Sequence, residues 1–150
     1  MKVSPGDLQQ RMNSLKEGLR EAGVKLTHQR LEIFREVALS DNHPDAETVY
    51  RGVRKRMPTV SLDTVYRTLW LLVDLGLIKT LGPPRERTRF EADLDSHHHF
   101  VCVKCGMTRD FQSNEFDCLV IPEEVKKIGI VEKAHVEVQG ICKQCSRRKN

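Results

Sequence analysis

Leu8, Met12, Leu15, Leu19 and Ala22 recur at i, i+4, i+7, i+11 and i+14, one apolar stripe of a helix that Gly23 can end. Thr27 suits the N-cap of a second helix, on which Leu31, Phe34, Val37 and Ala38 share a face before Ser40, Asp41, Asn42 and His43 break the pattern. Pro44 and Asp45 open a third helix running to about Arg56, with Val49, Val53 and Met57 inward, and Pro58 stops it. Ser61 caps a fourth, whose Leu62, Val65, Leu69, Leu72 and Val73 gather on one side, with Asp63, Thr64, Arg67 and Trp70 on or near the other. After Gly76 the segments LIKTL and RERTRFEA flank a Pro83-Pro84 turn, the pattern of a hairpin whose tip bears Arg85, Arg87 and Arg89. Helices followed by a basic hairpin predict a winged helix-turn-helix, with the fourth helix in the major groove and flanking basic groups on phosphates.

From His97 the period changes to alternation. His97, His99, Val101 and Val103 would share one face of a strand, and His98, Phe100, Cys102 and Lys104 the other. Pro122 with Glu123 and Glu124 begins a short helix that Gly129 ends. Residues 130–141 alternate again, with Ala134, Val136 and Val138 opposite His135, Glu137 and Gln139, which predicts one further strand paired with the earlier ones. The fold class expected is α+β, a winged-helix domain over residues 1–84, a wing strand and hinge over 85–93, and a small α/β dimerisation domain over 94–150.

Charge sharpens this division. Residues 1–92 hold 16 Lys and Arg against 12 Asp and Glu, whereas residues 93–150 hold 9 against 9, so the net charge of +4 lies wholly in the first part, as suits nucleic-acid binding there. The longest apolar run, 69–73, is too short to cross a bilayer, and no basic-plus-apolar signal opens the sequence, so no membrane association and a cytoplasmic location are expected. Five cysteines in such a chain point to metal rather than to disulfides.

The densest chemistry lies in residues 91–110, EADLDSHHHFVCVKCGMTRD. Cys102 and Cys105 form one CxxC pair, and Cys142 and Cys145 form a second. Four thiolates satisfy the tetrahedral, sulfur-rich preference of a structural Zn²⁺ and leave no open position for chemistry, a better fit than a redox dithiol. Cys118 falls outside any ligand spacing and reads as a packed or incidental thiol. His97 and His99, with Glu91 and Asp110 nearby in sequence, make a harder nitrogen and oxygen set suited to Fe²⁺, Mn²⁺ or Zn²⁺. His98, on the opposite strand face, should face solvent or belong to a separate site.

These residues carry a family resemblance over nearly the whole length. GVKLTHQR, NHPDAETVY, SLDTVYRTLWLL, GLI, the TRFE strand, the HHH and CxxCG run and the terminal CxxC resemble the ferric uptake regulator (Fur) superfamily, and most closely its peroxide-responsive (PerR-like) members. The resemblance implies a homodimeric, metal-dependent transcriptional repressor that binds AT-rich inverted repeats of double-stranded DNA. It also implies a regulatory metal site of His43, Glu91, His97, His99 and Asp110, in which an ion held across the hinge favours the DNA-binding arrangement. Asp110 stands where peroxide regulators carry Asp and iron regulators tend to carry Glu, which implies peroxide sensing through Fe²⁺-catalysed oxidation of His43 or His97. Glu91, where peroxide regulators usually carry Asp, and the pair Tyr66-Arg67 lean toward iron sensing, the alternative; zinc sensing ranks third. A further site of many iron regulators would fall on Ser96, His98, Asp117 and His135, where serine replaces a histidine ligand. For DNA, the resemblance places Tyr66 and Arg67 at the major groove and Lys25 near the minor groove. The class that competes with a repressor is a small zinc hydrolase or redox enzyme; a closed four-cysteine site, with no nucleophile elbow or metalloprotease helix motif, argues against an enzyme.

Overall fold

Each of the first four helices begins at a side chain that closes an orphan amide of its first turn. Ser4 and Asp7 form a reciprocal capping box on α1 (Pro5–Glu21), Thr27 caps α2 (His28–Leu39), Asp45 caps α3 (Ala46–Arg54) and Ser61 caps α4 (Leu62–Asp74). The computed structural model describes residues 3–81, 88–95 and 97–148, and the chain divides into two compact units, residues 1–94 and 95–150. Among the described residues no helix is long and apolar enough to cross a membrane.

In the first unit the apolar stripes meet. Leu15 and Leu19 of α1, Ile33, Phe34, Val37 and Ala38 of α2, Val49 and Val53 of α3, and Val65, Leu69 and Leu72 of α4 are buried in one cluster. Ala22 lies beyond the end of α1 and is exposed, and α3 ends two residues before the expected Arg56. That arginine leaves the helix to bond Glu32 at 2.6 Å and Glu36 at 2.9 Å, which explains how the acidic Glu32 can be buried on the inner side of α2. Gly76 takes a φ of 70° after α4, a left-handed turn that suits glycine. The chain then enters an antiparallel hairpin of β1 (Lys79–Leu81) and β2 (Arg89–Glu91), in the register Lys79↔Glu91, Thr80↔Phe90 and Leu81↔Arg89. Phe90 and Ile78 close the core beneath it. Three helices, a capped fourth and this hairpin make the winged helix-turn-helix; the expected wing tip, with Arg85 and Arg87, lies outside the described residues.

The second unit is built differently. Strand β3 (His98–Cys102) sits in the middle of a three-stranded sheet, antiparallel to β4 (Thr108–Phe111) and parallel to β5 (Glu137–Gly140). Short helices α5 (Asn114–Asp117), α6 (Glu123–Ile128) and α7 (Lys143–Arg147) punctuate the connections. The strand expected over 130–141 is shorter than its alternation suggests: only residues 137–140 are laddered. Its parallel partner supplies rungs only from His99 to Cys102, and beyond Gly140 the chain must turn into the second cysteine pair. Ile130, Ala134 and Val138 are exposed and Val136 is half-buried, so the apolar side of this alternation is largely uncovered within the described chain. The buried residues of this unit are His97, His98, His99, Cys102, Thr108 and Cys142, with no buried aliphatic side chain among those described.

Candidate metal centres and nucleic-acid interface

The cysteine knuckle is shaped by backbone. Cys102 N–H donates to Met107 O and Gly106 N–H to Cys102 O, each at 2.8 Å, and Gly106 takes a φ of 71°, which closes the CxxCG turn. The second pair opens α7, where the Cys142 sulfur accepts from Cys145 N–H at 3.4 Å as an N-cap. The four sulfurs of Cys102, Cys105, Cys142 and Cys145 all lie within 4.8 Å of one another, and Cys105 and Cys142 are 3.9 Å apart. A tetrahedron with metal–sulfur bonds of about 2.3 Å has edges of about 3.8 Å, so these residues fit Zn²⁺. Electrostatics agree with a cation there. The amide of Cys142 donates to the Cys102 sulfur and, as the main cause, holds that thiol down at about 6. Cys145 is pushed up to about 12, chiefly by its side-chain hydrogen bonds with Cys142 and Cys105, with the negative charge of Cys102 adding a smaller push. Cys118 stands apart on the surface, exposed rather than packed.

The expected regulatory residues are shared between the two units, His43 and Glu91 in the first and His97, His99 and Asp110 in the second. In the first unit the loop after α2 is stitched to β2: Phe90 N–H donates to Pro44 O at 3.0 Å, and Asp45 bridges Arg89. This pairing buries His43 beside Glu91, with Nδ1 3.6 Å from Oε1. His43 sits at a φ of 49°, a left-handed conformation uncommon for a residue with a Cβ and a frequent mark of functional positions. Lys79, opposite Glu91 in the hairpin, brings its ammonium to 3.3 Å from Oε2.

In the second unit Asp110 is the common partner. Its Oδ1 lies 3.5 Å from His97 Nε2 and 3.3 Å from His99 Nε2, and the two rings meet edge to face at 4.7 Å. His97 Nδ1 lies 2.8 Å from Asp95 O, and since a carbonyl only accepts, this bond places the ring proton on Nδ1 and leaves the Nε2 lone pair toward Asp110. An imidazole lone pair and a carboxylate directed at one point suit a divalent cation of intermediate hardness, so this donor set fits Fe²⁺ or Mn²⁺.

His98 does not face solvent. It is buried between Phe111 and Phe116, its Nδ1 accepts from Val136 N–H at 3.1 Å, and its Nε2 lies 3.0 Å from Asp117. Accepting at Nδ1 puts the ring proton on Nε2, directed at Asp117, so both nitrogens are engaged in joining β3 to α5 and to residue 136. His135, the other described residue expected in that third group, instead sets its ring 5.9 Å from that of His99. Ser96 lies outside the described residues.

The exposed side of α4 presents Tyr66, Arg67 and Trp70, with Arg67 held toward Asp63 at 2.9 Å one turn earlier. Trp70 packs edge-on against Phe90 at 5.8 Å, which fixes α4 to β2. Lys25 is exposed in the loop before α2, and Arg89 is half-buried in β2. Sequence reasoning missed Lys79 and the Asp95 carbonyl. The first depends on a register that the Pro83-Pro84 turn does not give, since symmetry about that turn would set Lys79 opposite Thr88 and not Glu91; the second, a local backbone contact, had no composition signal.

A model of the ferric uptake regulator family matches residues 21–139. The peroxide-responsive repressor PerR of Staphylococcus epidermidis is 31% identical over 134 residues, spanning 88% of each chain. A solved zinc-bound manganese uptake regulator superposes with a TM-score of 0.66 at 30% identity, over 85% of this chain and 98% of the other. The ferric uptake regulator of Helicobacter pylori, described as having three functional metal binding sites, superposes over 100% of this chain and 99% of its own, with a TM-score of 0.75 at 20% identity, a likeness of fold.

Proposed function

The chain belongs to the ferric uptake regulator family and is a metal-responsive transcription regulator rather than an enzyme, and from that premise we propose that it represses transcription as a homodimer and senses peroxide. The observation that carries the metal reading is the convergence of His97 and His99 on Asp110, with the His97 lone pair set by Asp95. His43 and Glu91 complete the donor set from the winged-helix unit. An ion held by both groups favours one arrangement of the two units, so metal binding and DNA binding each strengthen the other by the same factor. Cys102, Cys105, Cys142 and Cys145 hold a structural Zn²⁺, and the largely uncovered apolar side of residues 130–141 supports a partner subunit. The functional division is a winged-helix domain over 1–84, a hinge over 85–93 and a dimerisation and metal domain over 94–150.

Asp110 carries the peroxide reading, because the family resemblance associates Asp at this position with Fe²⁺-catalysed oxidation of a histidine ligand. Bound Fe²⁺ would supply the redox chemistry by which peroxide adds an oxygen atom to a ligand. His43 and His97 are the imidazoles positioned to receive it. The Fe²⁺-loaded protein should gain one oxygen on the peptide bearing His43 or His97 after peroxide treatment, read by mass spectrometry, and the Mn²⁺-loaded protein should gain none. Asp110→Glu should keep metal-dependent DNA binding and blunt the oxidation. Absence of iron-dependent oxidation would favour the second reading, an iron-responsive repressor, which Glu91 and Tyr66-Arg67 support.

On DNA, Tyr66 and Arg67 read the major groove of an AT-rich inverted repeat, Lys25 lies near the minor groove, and Arg85, Arg87 and Arg89 contact phosphates. Arg67→Ala should weaken operator binding by about 1–3 kcal/mol and relax specificity, whereas Arg89→Ala should weaken all sequences alike and lower the salt slope by about one. Fluorescence anisotropy across a salt series separates the two.

A further inference from the structure

Glu91 is one of two donors that the first unit offers to the proposed regulatory ion, and it is only 4% exposed. A carboxylate so far from water keeps its charge only beside compensating groups. Lys79 is one of them. The hairpin sets it directly opposite Glu91, where cross-strand side chains on one face meet, and its Nζ stands 3.3 Å from Oε2. Oε1 faces His43 Nδ1 at 3.6 Å. The two carboxylate oxygens are thus divided, one toward a fellow ligand and one toward an internal cation.

We propose that Lys79 is a built-in counter-ion, which holds Glu91 in the metal-free protein and against whose charge a divalent cation must bind, so that Lys79 sets the metal affinity of the regulatory centre. This rests on the reading of Glu91 as a ligand. An ion on Glu91 would bring a second positive charge close to an ammonium in a poorly solvated site, where Coulomb repulsion exceeds its value in water. Lys79 therefore stabilises the metal-free form and opposes the loaded one, keeping the ion exchangeable. Its place at the start of β1 puts this competition on the strand that leads into the wing.

The test compares Lys79→Met, which keeps the stem and removes the charge, with Lys79→Arg, which keeps the charge. Full-length protein with its zinc in place is titrated with Mn²⁺ by calorimetry, and thermal unfolding is followed with and without saturating Mn²⁺. Lys79→Met should bind Mn²⁺ more tightly, on the order of tenfold. Without Mn²⁺ it should melt a few degrees lower, and with Mn²⁺ close to the wild type, because stability lost from the metal-free form reappears as affinity. Lys79→Arg should stay near wild type, and Lys79→Gln serves if the methionine variant fails to fold. In a Glu91→Gln background the Lys79 substitution should have no effect on Mn²⁺ binding. Unchanged or weaker Mn²⁺ binding in the uncharged variants, or an equal loss of melting temperature with and without Mn²⁺, overturns the proposal. If Glu91→Gln alone binds Mn²⁺ like the wild type, Glu91 is not a ligand and the underlying reading fails with it. If Glu91→Gln weakens binding while Lys79→Met changes nothing, only the counter-ion is refuted.

Discussion

Serine in place of any one of Cys102, Cys105, Cys142 or Cys145 should release the tightly held zinc and unfold residues 95–150. The reason lies in what that unit buries: three histidines, two of the cysteines and a threonine, with no aliphatic side chain among the described residues to form a core of its own. The sulfur cluster joins the β3–β4 turn to the start of α7, two places far apart in sequence that the sheet alone holds only through the four paired positions of β5. Structural zinc contributes on the order of 10–16 kcal/mol to small zinc-dependent folds, as much as the whole stability of an ordinary domain. Zinc content by atomic absorption should fall to near zero after mild chelation, far-ultraviolet circular dichroism should lose strand signal, and sedimentation should report monomer or aggregate. Cys118→Ser should leave zinc content unchanged, because that exposed thiol lies outside the cluster.

Removing a proposed regulatory ligand should have a different and equally large effect: a folded, zinc-containing protein that no longer answers to metal. His99→Ala and His43→Asn should each lower Mn²⁺ affinity by on the order of 100-fold or more. Asparagine is chosen at position 43 because it tolerates the left-handed backbone of His43, so that the loss reports the imidazole and not the turn. By linkage, operator affinity at a fixed Mn²⁺ concentration should fall by the coupling factor, typically about 5–150-fold, while affinity without Mn²⁺ stays that of the wild-type apoprotein. A gel-shift titration with and without Mn²⁺ measures both quantities.

The parts of this molecule written in local sequence were legible. Three capping residues, Thr27, Asp45 and Ser61, and the i, i+3, i+4 stripes marked the winged-helix helices because both signals span only a turn or two, whereas the Ser4 capping box of α1 went unread. The CxxC pairs were legible because thiolate chemistry at that spacing has few other uses. Residues 130–141 misled because alternation reports two unlike faces and not the presence of a neighbour to ladder with; β3 offers pairing only as far as its own rungs extend. His98 was separable from its neighbours by strand parity, but its burial between Phe111 and Phe116 depends on α5 folding back, which no period shows. His43 was the least visible, since nothing in NHPDAETVY announces a left-handed histidine beside a strand almost fifty residues later. Only the family resemblance supplied it.

The proposed regulation requires that one ion take ligands from both units. Nuclear magnetic resonance of the zinc-loaded protein, with its six histidine rings labelled, tests it directly as paramagnetic Mn²⁺ is added to stoichiometry. The ring signals of His43, His97 and His99 should broaden together over the same equivalent, with His28, exposed at the start of α2, serving as the unaffected reference. Broadening confined to His97 and His99, with His43 as sharp as His28 at full occupancy, would contradict it.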